Sequence, residues 1–193
     1  MKYLIPIIIL FTLTAASRIE ERGKWVIDYN SQLLIHGQTN VNSFTCFISC
    51  YNSNDTLTYR ADTKSKTLEF DQNMMIIPIF NFNCGNNLIT KDFRTTVKAD
   101  KNPYLNISFV SLEQNSGSVA DKGLLEITLA GVTRRVSVKF TQTKKGDFLQ
   151  LSGNHSVCFS DFALQAPARM LGLVKVEEDL RVEFKLLIRP LSD

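Results

Sequence analysis

Four cysteines, two histidines and the Asp-Phe dipeptides at 92–93 and 161–162 are the residues of this 193-residue chain whose types and spacing could carry chemistry. Cys46, Cys50, Cys84 and Cys158 offer metal ligation or disulfide formation. Zinc is a weak alternative, because no Cys-x-x-Cys pair occurs and only His36 and His155 could complete a site. Disulfides fit better, with three connectivities open to four cysteines that all pair. Phe44, Cys46, Ile48 and Cys50 alternate, so on a strand Cys46 and Cys50 stand about 13 Å apart, whereas bridged Cα atoms lie within about 7 Å. These two are therefore not partners of each other. Cys84, which follows an apolar stretch, is the expected partner of either Cys46 or Cys50, and Cys158 is left as a free thiol.

Asp92-Phe93 and Asp161-Phe162 supply two carboxylates that could serve acid–base catalysis. Asp beside a turn more commonly accepts from backbone amides, so a capping role with the Phe as anchor is the expectation. His36 and His155 are far apart, and neither a Gly-x-Ser-x-Gly turn nor a His-Glu-x-x-His pair is present. A lone His at a strand end is expected to be solvated. Arg134-Arg135 beside a turn could meet an anionic headgroup, although surface exposure suffices to explain them. No nucleophile, metal or cofactor motif remains, and the chain reads as a non-enzyme. Its 22 basic and 19 acidic residues form no basic run, so nucleic acid is not an implied partner.

These residues sit behind a leader. Residues 1–17 hold one basic side chain, Lys2, then an apolar run from Leu4 to Leu13 and the small residues Thr14, Ala15, Ala16 and Ser17. The run is about half the roughly 20 residues needed to span a hydrocarbon core, and Pro6 interrupts it. A cleavable signal peptide is the expectation, with cleavage after Ala16 or Ser17 and no stable membrane insertion. Export also places the cysteines where disulfides persist. Residues 18–193 then form one domain.

From Trp25 onward the apolar pattern has period two, the mark of strands with one buried face. Leu180, Val182, Phe184, Leu186 and Ile188 alternate with Arg181, Glu183, Lys185 and Arg189. Leu125, Ile127 and Leu129 lead through the turn Ala130-Gly131 to Val136, Val138 and Phe140, a hairpin. Lys144-Lys145-Gly146-Asp147 makes the next turn, before a strand that reaches about Cys158. Leu105, Ile107 and Phe109 form another strand. Upstream, residues 25–28, 33–36, 44–51 and 75–82 read as strands, and residues 52–66 as a polar, turn-rich connection. Pro78 implies an edge, a bulge or a bend. Leu88, Ile89, Phe93 and Val97 recur at helical spacing behind the caps Asn86 or Asn87, and residues 166–171 read as one helical turn started by Pro167. Eight or nine strands with so few helices imply an antiparallel barrel or sandwich.

Taken in order, the segments resemble the YceI-like family, a lipocalin-like group of exported bacterial proteins. Trp25-Val26-Ile27-Asp28 is similar to its opening strand. Lys91-Asp92-Phe93 and Asn102-Pro103-Tyr104-Leu105-Asn106-Ile107-Ser108-Phe109 are similar to its helix and following strand. Leu125-Glu126-Ile127-Thr128-Leu129-Ala130-Gly131-Val132 resembles its hairpin, and Phe159-Ser160-Asp161-Phe162 its late Asp-Phe segment. Residues 37–44 and 170–176 look like a Bacteroidetes-type branch. The cysteines and the Asn-rich residues 38–43 depart from the general pattern. With a bacterial resemblance, the sequons at Asn54, Asn106 and Asn154 are expected to be chance matches.

The resemblance implies an all-β fold, a single antiparallel eight-stranded lipocalin-like barrel with one or two short helices. It also implies a lumen that holds a polyisoprenoid or quinone-like lipid, no cofactor, and a periplasmic or secreted location. A homodimer is left open. The lumen candidates are Phe80, Phe82 and Phe93 before and within the helix, Leu105, Ile107 and Phe109 on the strand after it, Val138 and Phe140 in the hairpin, and Val182 and Phe184 near the C-terminus. Each either fills a packed core or touches ligand. The alternative for the whole molecule is a non-enzymatic interaction protein with a filled barrel, for which an exposed apolar patch would be the docking surface.

Overall fold

Alternation of apolar and polar side chains builds nearly all of the wall, as a computed structural model of the chain shows. The structure describes residues 20–48, 51, 55–62, 64, 66–71, 74–113 and 121–191. The leader assigned to residues 1–17 and the candidate disulfide residue Cys50 lie outside the described residues. In chain order come β1 (Glu20–Ile27), β2 (Gln32–Gln38), β3 (Ser43–Ile48), β4 (Thr56–Asp62), β5 (Thr67–Phe70) and β6 (Met74–Pro78). Helix α1 (Asn87–Thr96) precedes β7 (Tyr104–Glu113), β8 (Asp121–Leu129), β9 (Val132–Lys145) and β10 (Phe148–Cys158). The two-residue β11 (Ala168–Arg169) and β12 (Val174–Lys175) and the long β13 (Asp179–Leu191) complete it.

Eight strands close a ring in the order β1, β4, β5, β7, β8, β9, β10, β13 and back to β1. All of these pairings are antiparallel. The β8–β9 hairpin turns on Ala130 and Gly131 at φ of 52° and 81°, the double left-handed geometry that matches strand twist in a two-residue loop. β13 buries Leu186 and Ile188 and half-buries Leu180, Val182 and Phe184, while its Arg, Glu and Lys residues face water.

Two ring strands divide one edge between two partners. β13 pairs with β1 over Ile188–Leu191 and with β2 over Arg181–Lys185. β7 pairs with β5 over Ser111–Glu113 and with β6 over Tyr104–Ser108. The wall therefore forks. At one end β1, β4 and β5 close it with unbroken ladders. At the other end β2, β3 and β6 replace them, and there β3 meets the chain after β6 through a single bridge among the described residues. Phe47 and Asn83 exchange backbone bonds of 2.8 and 3.1 Å. The Cys46–Cys84 disulfide lies directly beside that bridge, so of the two partners left open for Cys84 the chain uses Cys46. Cys158 is unbridged.

Four segments differ from the reading of the sequence. Residues 56–62, expected within a polar connection, form β4, where Leu57 is buried and Tyr59 and Ala61 share its face. β5 is a further strand that had no sequence counterpart. The strand expected over 75–82 ends at Pro78, because the chain leaves the ladder there and enters a 3-10 turn over Ile79–Asn81. Residues 166–171 form β11 and the start of a 3-10 turn instead of a helical turn.

Candidate ligand-binding cavity

The ring encloses a cavity of about 180 Å³. Leu105, Ile107 and Phe109 of β7, Leu125, Ile127 and Leu129 of β8, and Val138 and Phe140 of β9 line one side. Leu151 of β10 and Val182, Phe184 and Leu186 of β13 line the other. Strand alternation puts them there, since residues two apart share a face. No Asp, Glu, Lys or Arg lines the cavity among the described residues. The polar side chains among the lining are Ser31, Gln32, Tyr51, His155 and Cys158. Ser31 is satisfied by Leu187, whose amide donates to its Oγ at 3.0 Å.

Below the cavity, at the end closed by β1, β4 and β5, an aromatic cluster plugs the ring. Trp25, Tyr59 and Phe70 stack with centroids 4.9 to 6.0 Å apart, and Phe70 meets Phe109 at 5.6 Å. Such tilted pairs contribute beyond their buried area. The forked end carries a lid instead. Helix α1 starts at Asn86, whose side chain accepts from the amides of Leu88 and Ile89 at 2.8 and 3.3 Å. Ile89, Phe93 and Val97 then recur four residues apart on one face, and Phe93 and Val97 reach the cavity. Phe93 packs on Phe82 at 5.1 Å. The 3-10 turn Phe159–Phe162 packs against β9 and β10 and adds Phe159 and Phe162 to the lining.

The lid is held by few polar bonds. Lys98 Nζ donates to the Ala163 carbonyl at 3.4 Å. Arg169 forks onto the Asp92 carboxylate, with Nε 2.7 Å from Oδ2 and Nη2 on Oδ1. Cys84 binds the lid to the wall twice, through its disulfide and through its amide, which donates to Thr90 Oγ1 at 3.0 Å.

Nine of the ten lumen candidates line this cavity: Phe82, Phe93, Leu105, Ile107, Phe109, Val138, Phe140, Val182 and Phe184. Phe80 does not. In the 3-10 turn, positions three apart share a side, so Ile79 and Phe82 point inward and Phe80 points out. It is 49% exposed, beneath the Arg94 guanidinium at 5.2 Å. The strand alternation expected over 80–82 fails at Pro78.

The two Asp-Phe carboxylates do not converge. Asp161 caps its own turn, its Oδ2 accepting from the Cys158 amide at 2.9 Å, whereas Asp92 holds Arg169 rather than a backbone amide. Arg135 pairs with Glu126 at 2.5 Å, outside the barrel. His155, expected in solvent, is half-buried and lines the cavity, because β10 continues past it to Cys158 and turns it inward. His36 is also held, with Nδ1 3.0 Å from Thr45 Oγ1 and Nε2 3.5 Å from Glu183. Cys158 donates to Asp179 Oδ1 at 2.9 Å. That hydrogen bond, followed by burial and by the charges of Asp179, Asp161 and Glu178, pushes the thiol up to about 11. It is a poor nucleophile.

Several lining residues escaped the candidate set. Leu33, Ile35, Met75, Ile77 and Ile79 come from β2, β6 and the turn after it, where short apolar runs hid which face was buried. Phe159, Phe162 and Leu164 were legible only as an Asp-Phe motif.

The sequence matches the model of the YceI-like domain over residues 25–188. No curated protein matches significantly by sequence. Among solved structures the chain is similar to Burkholderia cenocepacia BcnA, with a TM-score of 0.60 and 13% identity, covering 83% of this chain and 98% of that one. It is equally similar, at 0.60 and 12% identity, to a polyisoprenoid binding domain from Saccharophagus degradans implicated in plant cell wall breakdown, covering 86% and 97%. A Campylobacter jejuni YceI protein aligns with a TM-score of 0.52 at 19% identity over 71% and 81% of the two chains. At these identities the structures establish a shared fold.

Proposed function

The chain belongs to the YceI-like domain family, and on that premise we propose that it is an exported, non-catalytic lipid carrier. Its barrel holds the apolar tail of a polyisoprenoid or quinone-like lipid, for transport, storage or protection of the envelope. The observation that carries this reading is the cavity inside the ring, lined almost wholly by hydrocarbon and free of carboxylates and cations among the described residues. Such a space stays dry and favours an apolar guest. Each buried CH₂ contributes about 0.8 kcal/mol, so roughly ten carbons give about 8 kcal/mol gross, near micromolar before ordering costs. At about 180 Å³ the cavity is close to the ~150 Å³ engineered space that accepts benzene. The closed form therefore takes a short stretch of chain, and a longer tail enters by displacing the lid or the lining rings.

Export rests on the leader pattern of residues 1–17, and a disulfide suits an oxidising compartment. The periplasm is the proposed location. The test is to purify the protein from its native envelope and analyse extracts by mass spectrometry, then to melt it with added prenyl lipids. Co-purified lipid, or a melting temperature that rises with ligand, supports the proposal. The absence of both overturns it.

A further inference from the structure

Large apolar side chains are left exposed on the loops of the lidded end: Val41 in the β2–β3 turn, Leu88 in the first turn of α1, and Met170, Leu171 and Leu173 between β11 and β12. Singly such residues need no explanation, but a contiguous group does. These loops are tied together. Asn40 Nδ2 donates to the Leu173 carbonyl at 2.8 Å and its Oδ1 accepts from the Lys175 amide at 3.0 Å. Arg169, next to Met170, grips Asp92, one helical turn from Leu88.

The turn is built against local preference. Met170 and Leu171 stand at φ of 53° and 55°, followed by Gly172 at 89°. Left-handed backbone is unfavourable for long side chains, and a turn that needs only to reverse the chain takes Gly or Asn there. Here that conformation projects Leu171 fully into solvent, at 107% of its reference exposure, and Met170 at 70%.

We propose that this prong docks the protein on the surface of a lipid bilayer, with the lidded end of the barrel facing the membrane. The inference rests on the lipid-carrier reading and names the surface from which that carrier loads. A prong that projects, rather than a recessed groove, suits a soft partner with no preformed pocket. Lys175, beside Gly172, supplies a cation for anionic headgroups. The docked loop is also continuous with the cavity: Arg169 holds Asp92, and the next residue, Phe93, lines the cavity.

The test is cosedimentation of the mature chain with vesicles of phosphatidylethanolamine and phosphatidylglycerol, for wild type, Met170→Asn/Leu171→Asn and Ile76→Asn. Asn tolerates left-handed backbone, so the double variant keeps the turn. Ile76 is an exposed apolar residue on β6, where it pairs with Asn106 of β7 and is not part of the prong. Farnesol binding in solution, read as a melting shift, runs in parallel. The proposal expects wild type and Ile76→Asn to bind vesicles and the double variant to lose about tenfold per side chain, with its farnesol response unchanged. Wild type that ignores vesicles, or a double variant that binds as well as wild type, overturns docking. So does a wild-type dimer that the double variant breaks while neither binds vesicles. Prong-dependent vesicle binding without any farnesol response leaves docking standing and removes the carrier reading.

Discussion

Opening the Cys46–Cys84 disulfide is expected to cost about 4 kcal/mol. The bridge spans 38 residues of sequence, and constraining a loop of that length removes about 13 cal/mol/K from the unfolded chain, or about 4 kcal/mol at 25 °C. In a domain of this size each kcal/mol moves the melting temperature by roughly 2–4 °C, so the drop should be about 8–16 °C. Calorimetry with and without reductant measures it. Cys46→Ala/Cys84→Ala is the second arm, expected to lose somewhat more because Cys46 is fully buried and its truncation leaves a void. The position of the bridge also says where the loss appears. Phe47 and Asn83 provide the backbone pairing across the seam, so their amides should lose exchange protection far more than those of the β10–β13 ladder. A drop below about 3 °C, or protection lost evenly around the ring, would show that the seam is held by something other than this bridge.

Ile107→Trp places an indole in the cavity; it should change stability by less than about 1.5 kcal/mol, since the space exists, yet abolish the melting shift with farnesol. A variant that still responds would place the ligand elsewhere. Gly153→Ala should destabilise by about 1–3 kcal/mol, because a Cβ there would lie 2.3 Å from the Lys139 carbonyl and 2.7 Å from the Phe184 ring. At Gly37 the three nearest atoms all belong to the Phe44 ring, a side chain that can shift, so Gly37→Ala should cost less in denaturant melts, and the reverse order would contradict the packing. Alkylation of Cys158 by iodoacetamide should stay slow at pH 8 and accelerate as pH approaches about 11, where the thiolate forms. Asp179→Asn removes the carboxylate acceptor that holds the thiol proton and should bring the midpoint down; a midpoint that stays put would reject Asp179 as the cause.

Much of this was legible because side-chain alternation survives wherever one face is buried. β13, the β8–β9 hairpin and β7 could be read residue by residue, and with them eight of the ten lumen candidates lie on strands or the helix as expected. Phe82 reaches the cavity through a three-residue period that two-residue alternation could not predict, and Phe80 was misplaced for the same reason. β4 was hidden because Leu57, Tyr59 and Ala61 alternate within a segment whose other residues are polar and charged. β5 has four residues, too few for a period to show. The lid was the least legible part. Its contacts, Arg169 with Asp92 and Lys98 with Ala163, join residues 77 and 65 positions apart, and nothing local in either segment announces its partner.

The forked wall has a mechanical consequence. Where β1, β4 and β5 close the ring, each strand is hydrogen-bonded to a neighbour on both sides and an aromatic plug lies within; where β2, β3 and β6 close it, one bridge and one covalent link span the gap among the described residues. The barrel thus has a stiffness gradient along its axis. Thermal fluctuations concentrate at the compliant end, so the lid can part and reseal there as a local event, while the rigid end keeps the strand register that guides the wall back into place.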